Sequence, residues 1–334
     1  MKKVLILTDG KSGHENQSKA FARALGCEFD LVEVHFKSKL AKALSYLLDR
    51  VGVLNTNLTN STNCANGDYV GVIGTGSGTF YAAKAVAKKL GVKCGVVLYP
   101  RGYDVKGFDC VLAPAFDRPK KAANVIEIPA NLVANDEAFY EKGVKAFWEK
   151  RGGQQAYGNK GEAVAVIVGG PNKCSTMTPE WMKAQLDAIF SSVNSTGSQA
   201  GNLTVGQSNN PTIRQSNNLE FWVTTSRRTP PSVEAVVDSY PWDYKLLYSK
   251  DHFNPIPAFV KLAKKLYVTA ESTGMLSEAC TFGSAEVVAL DNLNPGPHKF
   301  RRFVEDLRKG GYVDGSRKVD LSAQFARART LMGL

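Results

Sequence analysis

The chain has 334 residues, 43% of them hydrophobic, and a formal net charge of +11. This length suggests two domains of about 150 residues each, and the composition is ordinary for a globular protein. The longest apolar runs have strand length, so we expect no membrane-spanning segment. The positive charge favours an anionic partner, such as nucleotide phosphates or an anionic membrane face. No nucleic-acid-binding motif is visible.

The first ten residues, MKKVLILTDG, predict a first strand rather than a signal peptide, because polar residues follow the apolar run directly. The six cysteines form no CxxC pair, and the four histidines lack metal-ligand spacing. Buried free thiols in a reducing compartment explain the cysteines best. We therefore expect a cytoplasmic protein without a metal site or a bound cofactor.

The first half of the chain alternates apolar strands with helices. Predicted strands cover 3–8, 30–35, 69–73, 93–99, 108–113 and 124–128, and predicted helices cover 18–25, 40–50, 80–90 and 135–151. Unbroken apolar strands that alternate with helices indicate a parallel sheet covered on both faces. We predict a Rossmann-like domain over residues 1–155.

A second, similar half follows the polar stretch GGQQAYGNKGE. Predicted strands cover 163–168, 221–225, 245–248, 266–270 and 286–290, and the predicted domain covers 160–315. We expect the C-terminal helix, 318–334, to rejoin the first domain. The predicted fold class is α/β, with two doubly wound parallel-sheet domains facing a cleft. Residues 55–66 and 191–218 are rich in Asn, Ser and Thr and are predicted to be flexible insertions.

Two glycine-rich loops follow strands of the first half. The loop at 9–17, DGKSGHENQ, combines Gly10 and Gly13 with His14 and Glu15 and is not a Walker A motif. A tight turn alone would need one glycine, so we favour a functional loop. The loop at 74–79, GTGSGT, resembles a dinucleotide fingerprint but has threonine at the third glycine position. A glycine-lined wall of the cleft is the alternative.

Two further loops follow strands of the second half. Gly169 and Gly170 allow a close approach of the backbone, and Lys173 adds charge. The loop TTSRRTP at 224–230 places two arginines beside hydroxyl groups, which suits a diphosphate better than a surface salt bridge. If the usual right-handed crossover holds, this loop lies on a strand next to the 266–270 strand.

The segment at 266–290, LYVTAESTGMLSEACTFGSAEVVAL, reads as a strand, a polar turn, a helix and a second strand. A helix N-terminus at the end of a strand binds phosphates through its N–H groups and its dipole. One turn later, Glu278 can accept hydrogen bonds from the vicinal hydroxyls of a ribose. The alternative is an ordinary βαβ unit in which Ser272 or Thr273 caps the helix.

The motifs also resemble a known family. In order, DGKSGHENQ, VIGTGSGT, APAFDRP, NVIEI, VIVGG, TTSRRTP and VTAESTGMLSEA are similar to the mitochondrial-fission ELM1-like family, whose bacterial members are regarded as candidate glycosyltransferases. The resemblance implies the GT-B fold. The 266–290 segment is similar to the donor site of MurG-type transferases, in which a helix glutamate at the position of Glu278 holds the ribose. Glu271 stands where the family is expected to carry aspartate.

The expected function is therefore transfer of a sugar from a nucleotide-diphosphate sugar to an unidentified, potentially lipid-linked acceptor, without a metal. His14 is the expected base, with Glu15 or Asp9 as alternatives, because histidine titrates near neutral pH. A non-catalytic adaptor that keeps the fold and an NAD-dependent nucleotide-sugar epimerase remain alternatives. The predicted donor-site residues are Gly10, Gly13, Gly169, Gly170, Thr225, Ser226, Arg227, Arg228, Ser272, Thr273, Gly274, Met275 and Glu278.

Overall fold

The structure is a computed structural model that describes residues 2–60, 67–153, 162–196 and 219–334. The chain divides into two compact units. The first comprises Met1–Asn135, Glu305–Leu307 and Val319–Leu334, and the second comprises Asp136–Val304 and Arg308–Lys318. Each unit is built on one parallel sheet, as the sequence predicts.

The sheet of the first unit has six strands in the order β2-β1-β3-β4-β5-β6. Numbered along the chain, they are β1 (Lys3–Thr8), β2 (Glu28–Glu33), β3 (Gly71–Thr75), β4 (Lys93–Val97), β5 (Cys110–Pro114) and β6 (Val125–Ile128). The helices are α1 (Ser12–Ala24), α2 (Lys39–Arg50), α3 (Phe80–Leu90) and, at the end of the chain, α10 (Ser322–Met332).

The strand order of the first unit creates a crevice between β1 and β3. The chain places β2 on one side of β1 and then crosses to the other side to add β3. The connections on either side of this switch point diverge, so the carboxyl ends of β1 and β3 are left open. The alanine-rich helix α3 packs on the sheet and buries every residue from Phe80 to Ala87. The loops that follow β1 and β3 are therefore held over the crevice by rigid elements.

The sheet of the second unit has five strands in the order β11-β10-β7-β8-β9. They are β7 (Glu162–Ile167), β8 (Leu219–Thr224), β9 (Tyr244–Leu246), β10 (Ala263–Thr269) and β11 (Glu286–Leu290). The helices are α4 (Glu137–Lys150), α5 (Pro179–Thr196), α6 (Pro231–Asp238), α7 (Ile256–Leu262), α8 (Thr273–Thr281) and α9 (Lys299–Lys309). The switch point of this sheet lies between β7 and β10.

The boundary between the units differs from the predicted one near residue 155. Helix α4 belongs to the second unit because it packs against α7. A Cβ atom at Gly143 of α4 would lie 2.5 Å from Cβ of Pro257, so glycine permits this close helix contact. The C-terminal helix α10 lies in the first unit.

Several local predictions need correction. Helix α1 begins at Ser12 rather than near residue 18, so Gly13, His14 and Glu15 lie in its first turn and not in a loop. Helix α5 continues to Thr196, six residues into the predicted insertion at 191–218. The remainder of that insertion, 197–218, and residues 61–66 of the other lie outside the described residues.

The strand that carries the two arginines is not next to β10. Strand β7 lies between β8 and β10 because it pairs with both. The prediction of neighbouring strands was therefore wrong by one position in the sheet.

No helix in the described ranges is long and apolar enough to cross a membrane.

Candidate functional site

The crevice of the first unit holds an aspartate–histidine pair. Asp9 follows β1 directly, and its Oδ1 lies 2.9 Å from Nδ1 of His14 in the first turn of α1. Nζ of Lys11 donates a hydrogen bond of 2.5 Å to Oδ2 of the same carboxylate. Burial raises the pKa of Asp9, but the hydrogen bonds from Lys11 and His14 outweigh it and hold this pKa below its ordinary value. The carboxylate is therefore ionised near neutral pH and accepts from both neighbours.

The glycines of the GTGSGT loop make room for this pair. A Cβ atom at Gly76, whose φ is +82°, would lie 2.4 Å from Cε1 of His14. A Cβ atom at Gly78 would lie 2.8 Å from Cβ of Asp9. Real Cβ contacts are never so short, so the loop could not close over the two side chains without these glycines. This packing is a reason for the glycines other than dinucleotide binding.

The other predicted residues of the first unit have different surroundings. Gly10 adopts a φ of +74°, and its amide donates to the hydroxyl of Thr8 at 3.2 Å. Gly13 has no neighbour within 4 Å of a Cβ position, so the surface above the first turn of α1 is open. Glu15 forms an ion pair of 2.5 Å with Lys19, one turn further along α1. His14 is thus the predicted base with a partly buried orienting carboxylate, whereas Glu15 is paired elsewhere.

In the second unit, a buried glutamate joins three loops at the carboxyl edge of the sheet. Oε1 of Glu271 accepts hydrogen bonds from the amide of Gly170 at 2.8 Å and the hydroxyl of Thr269 at 3.1 Å. Oε2 accepts from Nδ2 of Asn292 at 2.8 Å. Burial raises the pKa of Glu271 above its ordinary value, against the opposing effect of these hydrogen bonds. Glu271 therefore braces the loops and does not face a ligand.

Gly169 and Gly170 are required by this packing. The amide of Gly169 donates to the hydroxyl of Thr269 at 2.9 Å, so both glycine amides have internal acceptors. A Cβ atom at Gly169 would lie 2.1 Å from Oε1 of Glu271, and one at Gly170 would lie 2.2 Å from the carbonyl oxygen of Arg228. The glycines let the loops after β7, β8 and β10 approach each other, and their N–H groups are not available for a phosphate.

The loop after β8 is ordered by its own hydroxyl groups. Thr225 donates to Oε1 of Glu234 at 2.5 Å and accepts from the amide of Tyr248 at 2.8 Å. Thr229 accepts from the amide of Ser226 at 2.9 Å and donates to the carbonyl of Gly169 at 2.6 Å. These bonds fix the loop against its neighbour after β7.

Two arginines extend from this ordered loop. Arg227 and Arg228 are exposed. Within the described part of the chain, neither guanidinium group has an ion pair or a hydrogen bond. Two adjacent cations without a carboxylate partner are available for an anionic ligand.

The N-terminus of α8 offers three backbone donors at the same edge of the sheet. Ser272 precedes the helix with its side chain making no capping hydrogen bond. The amide of Leu276 is bonded to the carbonyl of Ser272, whereas the preceding amides belong to the first turn, where helices lack internal acceptors. A Cβ at Gly274 would meet nothing within 4 Å, so the turn is open. The described residues provide no acceptor for the amides of Thr273, Gly274 and Met275.

Glu278, one turn into α8, is held by a residue that the sequence did not single out. The hydroxyl of Tyr140 on α4 donates a hydrogen bond of 2.8 Å to its Oε1. Tyr140 is fully buried and stacks on Phe282 with ring centroids 4.3 Å apart. Sequence patterns do not indicate that Tyr140 holds Glu278, because the two residues are 138 positions apart in the chain.

Within the described ranges, no group of three or more His, Cys, Asp or Glu side chains has an arrangement that could hold a metal ion.

Comparison with solved structures finds similar chains at low identity. They include Staphylococcus aureus MnaA with UDP, at 13% identity and a TM-score of 0.45, covering 99% of this chain and 90% of that chain. Neisseria meningitidis UDP-GlcNAc 2-epimerase bound to UDP-GlcNAc is 10% identical with a TM-score of 0.49, covering 100% and 98%. A Polygonum tinctorium UDP-glucosyltransferase is 10% identical with a TM-score of 0.44, covering 99% and 92%.

Comparison with curated protein sequences finds no match. The family model described as mitochondrial fission ELM1 matches residues 12–210 and 202–326. These ranges cover most of the chain and include His14 and the GTGSGT loop of the first unit and the whole candidate site of the second unit, whereas Asp9 and Lys11 lie just before them. The chain belongs to the mitochondrial fission ELM1 family.

Proposed function

We propose that this protein is a glycosyltransferase whose donor is a nucleotide-diphosphate sugar. The observation that carries the proposal is the set of free donors at the carboxyl edge of the sheet in the second unit. Three first-turn amides of α8 and the guanidinium groups of Arg227 and Arg228 lie at one edge of one sheet, with no acceptor among the described residues. Amides at a helix start and arginines are the groups that proteins use to bind phosphate.

The diphosphate of the donor would lie at the N-terminus of α8. The amides of Thr273, Gly274 and Met275 bond its oxygens there, and the open surface at Gly274 admits the ligand. Arg227 and Arg228 neutralise the charge of the leaving nucleoside diphosphate when the sugar is transferred. This role of the arginines and the helix dipole is why the proposed mechanism invokes no metal ion and no cofactor.

The nucleoside ribose would lie against Glu278. A carboxylate can accept hydrogen bonds from both vicinal hydroxyls of a ribose, and the bond from Tyr140 fixes its position before the ligand arrives. Preorganisation of this kind increases affinity because less side-chain freedom is lost on binding.

His14 is the proposed base for the acceptor. Ionised Asp9 accepts from Nδ1, which selects the tautomer that leaves Nε2 as a proton acceptor. In the reaction the acceptor hydroxyl oxygen bonds to the anomeric carbon, and the bond from that carbon to the diphosphate oxygen breaks. The hydroxyl proton goes to Nε2, and the electron pair of the broken bond leaves with the nucleoside diphosphate.

Calorimetric titration with UDP-, GDP- and CMP-sugars tests the donor site. We expect one nucleotide class to bind to the wild type and to lose affinity about tenfold or more in Glu278→Ala. The matched control is Glu141→Ala, since Glu141 is exposed on α4. Absence of binding to every nucleotide sugar would overturn the proposal and favour a non-catalytic adaptor. NAD that co-purifies with the protein would instead favour the epimerase.

We further propose that the reaction takes place in the cytoplasm. The five cysteines of the described ranges are free thiols, and all but Cys174 are buried, which suits a reducing compartment. Peripheral contact with an anionic membrane is part of the proposal and is supported by the net charge of +11.

A further inference from the structure

Helix α2 exposes a row of apolar side chains on its outer face. Its fully buried residues are Ser45 and Asp49, Tyr46 and Leu48 pack partly buried against the core, and its exposed large hydrophobic side chains are leucines. Leu40 is 82% exposed, Leu44 43% and Leu47 60%, and Val51 just beyond the helix is 66% exposed. A surface helix of a globular protein normally turns its apolar residues inward. We call these four residues the leucine stripe.

Polar bonds on the inner face fix this orientation. Asp49 forms a buried ion pair of 2.6 Å with Lys84 and accepts from the amide of Asp104 at 2.6 Å. The hydroxyl of Ser45 lies 3.0 Å from that of Tyr103. Rotation of α2 to bury the leucine stripe would break the pair and leave the buried charge of Lys84 without a carboxylate, which is strongly unfavourable. The polar contacts of the inner face therefore hold the leucine stripe on the outer face of the helix.

The stripe is continuous along one side of the helix. Its members are spaced by four, three and four positions, which keeps them on one face of an α-helix. At a rise of 1.5 Å per residue the stripe is about 16 Å long. Exposed apolar residues scattered singly need no explanation, but a contiguous row marks an interaction surface.

The charges around the stripe indicate which surface it contacts. Between residues 37 and 53 the only acidic side chain is Asp49, which is buried and paired. Lys37, Lys39 and Arg50 are exposed, and none of them has an ion pair in the described part of the chain. Two copies of this surface would oppose like charges across a two-fold axis. An anionic lipid layer that accepts leucine side chains matches both the apolar stripe and the positive charges around it.

We propose that α2 inserts its leucine stripe into the interface of an anionic lipid layer, with Lys39 and Arg50 at the headgroups. A bond links this surface to the candidate catalytic pair of the same unit. Nζ of Lys42 on α2 donates to the hydroxyl of Ser77 at 3.1 Å, and Ser77 lies between the glycines that pack on His14 and Asp9. Resting on the proposed function, the acceptor is a lipid-linked hydroxyl compound delivered to His14 from that layer.

Vesicle sedimentation tests the lipid contact independently of catalysis. We expect the full chain to sediment with vesicles of phosphatidylcholine and phosphatidylglycerol and to remain largely unbound with phosphatidylcholine alone. Leu40→Ser with Leu47→Ser lowers the vesicle partition coefficient about a hundredfold, since each leucine contributes roughly a factor of ten when buried. Leu31→Ser, at a leucine that is 42% exposed on β2, is the matched control and leaves binding unchanged.

A second pair of variants tests the charges. Lys39→Gln with Arg50→Gln weakens binding to the anionic vesicles roughly fivefold per charge, and added salt weakens the wild type in the same way. Lys120→Gln with Lys121→Gln removes the same charge from another exposed position and leaves binding nearly unchanged. Equal losses in the two double variants would overturn the proposal, because net charge rather than α2 would then be responsible.

Two further measurements separate this proposal from its alternatives. Circular dichroism and nucleotide-sugar titration of the leucine variant should match the wild type, so that lost vesicle binding reflects the surface and not misfolding. Sedimentation velocity that shows a wild-type dimer, dissociated by the leucine variant, with no vesicle binding by either, would assign the stripe to a second copy and overturn the proposal. Failure of vesicle binding with intact nucleotide-sugar binding would leave the proposed donor site standing.

Discussion

The hydroxyl of Tyr140 donates a 2.8 Å hydrogen bond to Oε1 of Glu278 and so joins α4 to α8. Both helices belong to the second unit, although α4 directly follows the boundary between the units. The tyrosine ring is fully buried, so the carboxylate is held by a residue with little freedom of its own. A glutamate positioned this way can bind the hydroxyl groups of a sugar ring with little further loss of side-chain freedom.

Replacement of Tyr140 by phenylalanine removes this hydrogen bond and keeps the ring that stacks on Phe282. We expect Tyr140→Phe to reduce nucleotide-sugar affinity about tenfold, because a hydrogen bond to a charged group is worth roughly 1.5–3 kcal/mol. Calorimetric titration measures the change. Phe139→Leu, at the exposed neighbouring position, should retain full affinity. Unchanged affinity in Tyr140→Phe would mean that the tyrosine does not position Glu278.

Glu271 should be a stabilising residue rather than a binding one. In Glu271→Gln the side-chain NH₂ group would replace an accepting oxygen and face a donor from Gly170, Thr269 or Asn292. Two donors would then meet, and neither would have an acceptor. We expect a loss of about 1–3 kcal/mol in the free energy of unfolding. Denaturant unfolding measures it, and Glu127→Gln on the exposed side of β6 is the control. Equal stability of the two variants would refute the bracing role.

The same variant has a predicted pH dependence. Because the folded-state pKa of Glu271 is raised, the folded protein holds this proton more tightly than the unfolded chain. The contribution of Glu271 to the free energy of unfolding is therefore greatest below the ordinary glutamate pKa. It falls as the pH rises from that ordinary pKa to the raised pKa of the folded protein. The stability advantage of the wild type over Glu271→Gln should decline across that interval. A constant difference would contradict the raised pKa.

Gly76→Ala should disturb His14. The added Cβ would lie 2.4 Å from the imidazole, and the φ of +82° adds strain for any L-residue. Gly91→Ala carries the same kind of strain, with a φ of +67°, but its Cβ meets no atom within 4 Å. We expect both variants to lose stability from the backbone strain, with the larger loss in Gly76→Ala because of the added clash, whereas only Gly76→Ala lowers kcat with donor affinity retained. Equal kcat in both would show that the loop does not position the imidazole.

Asp9→Asn should lower kcat about 10²-fold or more, because His14 loses the carboxylate that selects its tautomer. Donor affinity should remain, since the donor is proposed to bind in the second unit. Because the pKa of Asp9 is depressed in the folded protein, this residue also contributes to the free energy of unfolding. The contribution is present above the ordinary aspartate pKa and is lost as the pH falls through the folded-state pKa. Asp9→Asn should lack this acid-side slope in thermal unfolding scans. Full activity of the variant would exclude the pair from catalysis.

Short-range patterns predicted the alternation of strands and helices well. Strands β1 and β11 and helix α3 have the predicted bounds, because apolar runs and helical periodicity depend on neighbouring residues alone. The ends of helices were less predictable. Helix α1 begins at Ser12 although Gly13 in its first turn is a weak helix former, so the glycine was misread as part of a loop.

The glycines show what the sequence alone does not predict. A glycine in a loop signals that something approaches the backbone closely, but the chain does not say what. At Gly76 the approaching group is His14, and at Gly169 it is Glu271, each brought there by another segment of the fold. Strand β7 likewise separates β8 from β10, although the expectation of a usual right-handed crossover placed them as neighbours.

By itself, the sequence determined two parallel α/β units and the loops that carry polar side chains at strand ends, because both follow from local hydrophobic patterns. Only the tertiary structure decided that Tyr140 holds Glu278, that Glu271 braces the loops, and that α2 turns its leucine stripe outward. Those outcomes depend on contacts between residues far apart in the chain, where hydrogen-bond geometry and burial choose among partners that the sequence leaves equivalent.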